Sequence, residues 1–442
     1  VLIALLLACT GSAKDLDPSD DTDAPDSTPT SDPDTAPGSD SDDPAIVGAR
    51  NLLLISVDTL RRDGLSWYGG QADTAFLDSL LDRGHTYTNL RSCSDWTFPG
   101  VTCALTGADL VESGFLMGQV ESAGDVPDSL TLLGEALQAE GFSTALVSGN
   151  SILGPGQGFE RSYDELFVED LLIAEDVVDR GLGFLDAMDE RWMLHLHFMD
   201  PHVPYQPPLE YLTGDEPDST PWDLTGRPGI EQMANALAAG EISDELFATV
   251  METLHYYYDG ELTYLDDQLE RLWGELEARG ALDDTLVIFW SDHGESWGER
   301  DVWLHQRSLY RAETLALGAR LGPGIEPAVD DQPMSLRDVP GLALEGLGLA
   351  PAYTPIGEPR FADAAILSGF HTAIDVGDRR LLFESGEGRL LLFDVAEDPQ
   401  EQIDLSTEDA ATTAALWKQL QPRAQVIATS HPDLPVVWPD GF

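Results

Sequence analysis

The chain has 442 residues, with 80 Asp and Glu against 23 Lys and Arg and a formal net charge of −57. This excess excludes an electrostatic nucleic-acid binder, because a phosphate backbone is held by clustered Lys and Arg. At 42% hydrophobic residues the chain can bury a large core, which excludes wholesale disorder and fits one large or two unequal domains.

The opening residues Val1-Leu2-Ile3-Ala4-Leu5-Leu6-Leu7-Ala8 are apolar and precede Cys9. The run is less than half the ~20 residues of a membrane-spanning helix, so residues 1–9 read as the end of a signal peptide. Leu6-Leu7-Ala8-Cys9 resembles the bacterial lipobox. That likeness implies a lipidated Cys9, a cell-envelope or secreted location, and membrane contact only through the lipid; an ordinary cleaved signal is the alternative. Residues 10–45 hold eleven Asp with Ser, Thr, Pro and Gly. Such a segment cannot bury enough surface to offset its ordering entropy, so residues 10–47 are expected to be an extended, solvated tether. With its one Lys it carries −10 of the net charge and leaves −47 on the rest.

Four apolar runs have the length and side-chain types of buried parallel strands: Leu52–Val57, Thr144–Val147, Met193–Phe198 and Thr285–Trp290. Helix-like segments alternate with them at Thr74–Leu81, Ser129–Ala139, Leu171–Met188 and Asp244–Ala278. This alternation predicts an α/β fold with a mostly parallel central sheet flanked by helices, over residues 48–355. Residues 365–395 alternate apolar and polar around Gly377-Asp378 and Gly386–Gly388, and a helix is expected at Glu408–Leu420. They predict a small antiparallel sheet plus helix as a C-terminal subdomain, residues 356–442. Cys93 and Cys103 lie in one stretch and are either a local disulfide or two buried thiols.

The reactive residues follow the strands. Asp58 ends the first run, Asp200-Pro201-His202 the third, and Ser291-Asp292-His293-Gly294 the fourth. Ligands of open α/β sheets bind beyond the carboxyl ends of the strands, so these segments are expected to meet at a metal site. A divalent cation on Asp58, Asp292 and His293 would bind an ester oxyanion and acidify a bound hydroxyl. Thr97, two residues before Pro99, falls where a helix can start, and a helix N-terminus favours an anionic sulfuryl or phosphoryl group. Plain N-capping is the other reading of Thr97. His195 and His197 alternate with leucines on a strand and receive no role here. His85, His255, His371 and His431 sit outside any motif.

Asn51-Leu52-Leu53-Leu54-Ile55-Ser56-Val57-Asp58-Thr59-Leu60-Arg61 resembles the opening strand and metal turn of the sulfatase family, within the alkaline phosphatase superfamily. Thr74-Ala75-Phe76-Leu77-Asp78, Trp96-Thr97-Phe98-Pro99-Gly100 with Leu105-Thr106-Gly107, Phe198-Met199-Asp200-Pro201-His202, Ser291-Asp292-His293-Gly294-Glu295, His305 and Leu392-Phe393-Asp394 continue the likeness in family order. The resemblance implies one divalent cation, Ca²⁺ with Mn²⁺ or Zn²⁺ as alternatives, held by Asp58, Asp292, His293 and Thr97. It implies Thr97, His202 and His305 as catalytic residues, with Asn150 contacting the bound anion; Arg61 contacts that anion or makes a surface ion pair. The substrate would be an anionic ester, a sulfated or phosphorylated glycan, lipid or small molecule.

The sequence also departs from that family. Thr97 stands where sulfatases carry the Cys or Ser that becomes formylglycine, so no formylglycine is expected and phosphate esters become as credible as sulfate esters. Thr59 replaces a second Asp, Val101 the following Arg, and Ser148-Gly149-Asn150 a Lys-containing segment. A transferase of phosphoglycerol or phosphoethanolamine type, or a catalytically degenerate surface lipoprotein, are the alternatives.

Overall fold

The computed structural model describes residues 48–114, 125–188, 190–350, 354–366 and 368–439. The N-terminal apolar run, Cys9 and the acidic segment lie outside the described residues. Residues 47–442 form one compact unit.

In chain order the strands are β1 (Asn51–Val57), β2 (His85–Arg91), β3 (Ser143–Ser148), β4 (Glu165–Val168), β5 (Trp192–Phe198) and β6 (Thr285–Ser291). A short hairpin of β7 (Ser296–Trp297) and β8 (Trp303–Leu304) precedes β9 (Leu315–Leu321), β10 (Ala328–Asp330) and β11 (Met334–Ser335). The main sheet has the order β10-β2-β9-β6-β1-β5-β3-β4, with β11 also on β2. Strands β6, β1, β5, β3 and β4 run parallel, whereas β9 is antiparallel to its neighbours β6 and β2.

The helices are α1 (Ala75–Arg83), α2 (Thr97–Thr106), the single turn α3 (Leu110–Ser113), α4 (Leu133–Ala139), α5 (Ala174–Leu185), α6 (Arg227–Ala238), α7 (Asp244–Ala278), α8 (Arg311–Thr314), α9 (Val339–Gly346) and α10 (Ala410–Ser430). Two expected helix boundaries shift for local reasons. Leu171 has φ 58°, which no helix accepts, so α5 starts at Ala174. Helix α4 starts at Leu133, where Glu135 accepts the Leu132 N–H at 2.9 Å, and not at Ser129.

Strands β1, β5 and β6 are buried along their whole length, which is why they read as unbroken apolar runs. Alternate residues serve two cores. Leu53, Ile55 and Val57 join one core with residues of α1, α5 and α7, while Leu52 and Leu54 join the other with residues of α2, α4 and α9. The same alternation carries Ser56 onto the α2 face. There the parallel register sets Leu54 beside His195, and Ser56 beside His197 and Trp290.

The C-terminal strands β12 (Arg360–Ile366), β13 (Gly369–Val376), β14 (Arg379–Glu384) and β15 (Arg389–Asp394) form an antiparallel meander. Its Phe370 and Phe383 share the α2-side core with Trp417 and Leu420 of α10. That helix begins after Asp409, whose side chain accepts the Thr412 N–H at 3.1 Å, and runs past Pro422 to Ser430, ten residues beyond the expected end. Cys93 and Cys103 are joined as a disulfide, with Cα atoms 6.4 Å apart. The staple closes the segment that contains Thr97. No helix among the described residues is long and apolar enough to cross a membrane.

Candidate active site

Strand ends set the carboxylates. The Asp58 N–H donates to Phe198 O at 3.0 Å and the Asp292 N–H to Val57 O at 3.2 Å, so both ladders continue one residue past the strands. Asp58 and Asp292 are therefore side by side and fully buried. Thr59 then turns at φ 52°, a conformation rare for a β-branched residue, and its N–H is directed at the Asp292 carboxyl.

Helix α2 points its first turn at this place. A Cβ on Gly100 would meet Asp292 O at 2.9 Å, and one on Gly294 would meet Ala312 O at 2.2 Å, so both close approaches require glycine. Thr97 is the first helical residue and not the N-cap, which is Trp96. Thr97 Oγ1 donates to Asp58 Oδ2 at 3.0 Å. Asn150 Nδ2 donates to the same Oδ2 at 3.0 Å and to Thr97 Oγ1 at 3.3 Å. Asn150 thus occupies this corner as a neutral donor.

Two imidazoles border the carboxylates. His293 Nδ1 lies 2.8 Å from Gly294 O, which can only accept, so Nδ1 carries the proton and Nε2 presents a lone pair. That Nε2 lies 3.4 Å from Asp58 Oδ1 and 3.7 Å from Asp292 Oδ2. His197, given no role from the sequence, brings Nε2 within 3.6 Å of Asp58 Oδ2. Among the described residues, ligand atoms of Asp58, His197 and Asp292 all lie within 4.8 Å of one another.

Four buried atoms here, Asp58 Oδ1, Asp292 Oδ2, His197 Nε2 and His293 Nε2, have no hydrogen-bond partner. Buried polar groups are normally paired, and two adjacent carboxylates repel. Burial and the neighbouring Asp58 charge push Asp292 well above the usual carboxylate range. Burial also raises Asp58, but neighbouring imidazoles, His202 foremost, outweigh it and hold Asp58 well below that range. One charge is thus tolerated and the second is not, unless a cation lies between them. Two carboxylate oxygens and the His293 nitrogen, inward-facing and otherwise unsatisfied, are acceptors of the kind a divalent cation needs.

A second group adjoins the first. The His305 ring lies 4.9 Å from His293 and 5.0 Å from His202, centroid to centroid. Arg227 Nη2 lies 3.3 Å from His305 Nε2, and since guanidinium only donates, His305 carries its proton on Nδ1 and gives it to Glu295 Oε1 at 2.7 Å. Tyr205 donates to the other Glu295 oxygen. Burial, with His293, His202 and Arg227 nearby, pushes the His305 pKa well down, so the ring is neutral. His202 Nδ1 has no partner.

Of the two readings of Arg61, the structure shows the ion pair, in a buried form. Its guanidinium bonds Asp63 at 2.8 and 3.0 Å, Glu299 at 2.8 Å and Glu295 O at 2.6 Å, and stacks 4.7 Å over Trp297. It braces the turn after Asp58 through these contacts. The sequence reading also left out Arg227, Glu295, Tyr205 and His197. The one available signal was the His195-Leu196-His197 alternation, which directs both rings to the face that carries Ser56.

Residues 50–340 match the Sulfatase family. The choline-sulfatase of Rhizobium meliloti is 26% identical over 81% of this chain and 85% of its own length. A protein solved in complex with D-glucosamine-2-N,6-O-disulfate superposes with a TM-score of 0.69 at 17% identity, over 87% of this chain and 98% of that one. The phosphonate monoester hydrolase of Silicibacter pomeroyi gives 0.67 at 17% identity, over 85% and 95%. The chain, with its mostly parallel sheet and polar strand ends, belongs to the sulfatase family of sulfuric ester hydrolases.

Proposed function

We propose that the protein is a metal-dependent hydrolase of sulfate or phosphate esters in which Thr97 is the nucleophile. The observation that carries this is Thr97 Oγ1, at the N-terminus of α2 and 3.0 Å from Asp58 Oδ2, beside the Asp292 and His293 atoms that fit a cation. A divalent cation held by Asp58, Asp292, His293 and Thr97 would stabilise an ester oxyanion and acidify the hydroxyl. Thr97 gives up its proton along the bond to Asp58 and attacks the sulfur or phosphorus atom. Asn150 and the N-terminal dipole of α2 orient the Thr97 oxygen and favour the anion.

His202 protonates the leaving oxygen, since its Nδ1 is unengaged. His305 is neutral, with Nε2 turned to Arg227, and it orients the site through Glu295. Water then resolves the Thr97 ester. Arg227 supplies positive charge that the sequence had lost elsewhere. Sulfated or phosphorylated glycans and small molecules are the proposed substrates, in keeping with the names of the choline-sulfatase relative and of the disulfated glucosamine complex. Thr97 cannot become formylglycine, and this favours testing phosphate esters alongside sulfates. We also propose that Cys9 carries a lipid anchor; intact mass of the envelope-extracted protein showing an unmodified Cys9 would refute it.

The test is turnover of aryl sulfate, phosphate monoester, phosphodiester and phosphonate esters by the purified chain, with each of Ca²⁺, Mn²⁺ and Zn²⁺. Metal-dependent turnover that Thr97→Ala abolishes is the expected result. Its absence on every ester sinks the hydrolase reading and leaves a binding protein; activity surviving in Thr97→Ala sinks the nucleophile.

A further inference from the structure

Beside the carboxylate pair a chain of four buried side chains leads away from the site. His197 Nδ1 lies 2.8 Å from Ser56 Oγ, Ser56 Oγ lies 2.8 Å from His195 Nε2, and His195 Nδ1 lies 2.7 Å from the Tyr163 hydroxyl. Ser56, His195 and His197 are 0% exposed and Tyr163 is 6% exposed. We propose that this chain makes His197 a metal ligand, and that the two imidazoles His197 and His293 select a borderline cation such as Zn²⁺ over Ca²⁺. The proposal rests on the metal-dependent reading above.

Two proton orders satisfy the three hydrogen bonds. If Tyr163 donates inward, His195 donates to Ser56 and Ser56 to His197 Nδ1. His197 then carries its proton on Nε2, facing Asp58 Oδ2 at 3.6 Å, too far for a hydrogen bond, and a buried N–H is stranded. In the reverse order His197 Nδ1–H donates to Ser56, Ser56 to His195 Nε2, and His195 Nδ1–H to the Tyr163 oxygen. That leaves a lone pair on His197 Nε2, aimed at the Asp58 and Asp292 carboxylates. A cation lets a lone pair and two ionised carboxylates face one another stably.

The second order also matches His293, whose Nδ1–H is held by the Gly294 carbonyl. Metal-bound imidazoles characteristically donate their other N–H to such a partner, which fixes tautomer and ring orientation. Ser56 plays that part for His197, and His195 and Tyr163 hold Ser56 in turn. The resulting set is two imidazole nitrogens and two carboxylates, with the Thr97 hydroxyl as an oxygen ligand. Ca²⁺ takes six to eight oxygen ligands, whereas imidazole suits Zn²⁺ and its first-row neighbours. Thr59 in the second position of the metal turn is consistent with this, because its hydroxyl cannot replace a carboxylate while His197 can add a nitrogen.

The experiment is calorimetric titration of the metal-free full chain with Zn²⁺ and with Ca²⁺, without substrate. Expected is one equivalent of Zn²⁺, bound at least about 100-fold more tightly than Ca²⁺. Ser56→Ala should weaken Zn²⁺ by about 10- to 100-fold with Ca²⁺ affinity unmoved. Ser56→Thr, which keeps the hydroxyl, should restore it, and Tyr163→Phe should give a smaller loss. X-ray absorption of the Zn²⁺-loaded parent should count two imidazoles, a readout that needs no variant to fold. One imidazole or none, a Ca²⁺ preference, or a Ser56→Ala chain that folds and binds Zn²⁺ like the parent would overturn the proposal. Since no ester enters these measurements, tight Zn²⁺ binding without turnover would sink the hydrolase reading alone.

Discussion

Two pairs of buried carboxylates can be set against each other. Asp109 and Asp363 lie where α3 meets the C-terminal sheet, and Arg423 of α10 bridges them. Its Nη1 donates to Asp109 Oδ2 at 3.0 Å and its Nε to both Asp363 oxygens at 2.9 Å, and Thr372 adds a bond at 2.6 Å. Asp58 and Asp292, at the strand ends, have no guanidinium between them and keep unpartnered oxygens. Where the fold needs only cohesion, the cation is part of the chain; on the proposed reading the acceptors of Asp58 and Asp292 are left to a cation that can be exchanged.

Emptying each pair of its cation should therefore fail in different ways. At Asp58 and Asp292 the loss is in rate. Chelation of the metal, or Thr97→Ala, should lower kcat/KM by about 10³-fold or more with little change in the unfolding temperature of Thr97→Ala relative to the metal-free parent. At Asp109 and Asp363 the loss is in stability. Arg423→Met strands the buried Asp363 carboxylate, while Asp109 keeps Arg337 at 3.0 Å, and should cost about 3–5 kcal/mol in denaturant unfolding with Zn²⁺ affinity at the parent value. If Arg423→Met instead abolished metal binding at full stability, the division of labour would be wrong.

A third pair is bridged by neither metal nor guanidinium. Asp200 and Glu261 are neighbouring buried carboxyls, and burial pushes them up to about 7 and about 9. Glu261 accepts the Gln206 N–H at 2.5 Å, which ties α7 to the loop that carries His202. Raised carboxyl pKa values mean that the folded chain holds more protons than the unfolded one. This pair's stabilisation is therefore complete below about pH 4 and is lost as pH rises toward 9. Each proton so held gives a slope of about −1.4 kcal/mol per pH unit within that window. Glu261→Gln should flatten the slope of unfolding free energy between pH 5 and about 9; an unchanged slope would assign the proton elsewhere.

How much of this could be read from the sequence depended on the distance over which each residue acts. The strands β1, β3, β5 and β6 were legible because burial on both faces makes each an unbroken apolar run. Asp58, Asp292 and His293 were legible because they follow such runs directly, and Thr97 because Pro99 marks a helix start. Strands β2 and β9 were not, since His85-Thr86-Tyr87-Thr88-Asn89 is too polar to announce a strand and its neighbour lies far along the chain. The choice between the two readings of Arg61 was not legible, because its partners Glu295 and Glu299 come from a segment over 200 residues away. His197 became a candidate ligand only through the register that sets it against Ser56, a fact of strand pairing that no local pattern encodes.

Salt offers the finest separation of the two cation-bridged pairs. Of the net charge of −57, −47 belongs to residues outside the acidic segment, and a substrate anion must approach through that field. Exposed charges are screened within a Debye length of about 8–10 Å at 0.1–0.15 M salt, whereas a buried pair is screened far less. Raising ionic strength from 0.05 to 0.5 M should therefore increase kcat/KM by about two- to fivefold through association, with kcat unchanged. The stability lost in Arg423→Met should not move over the same range, because Asp363 and Asp109 are buried. A kcat/KM that falls with salt would show that local attraction, from Arg227 and the α2 N-terminus, outweighs the field of the whole molecule at the mouth of the site.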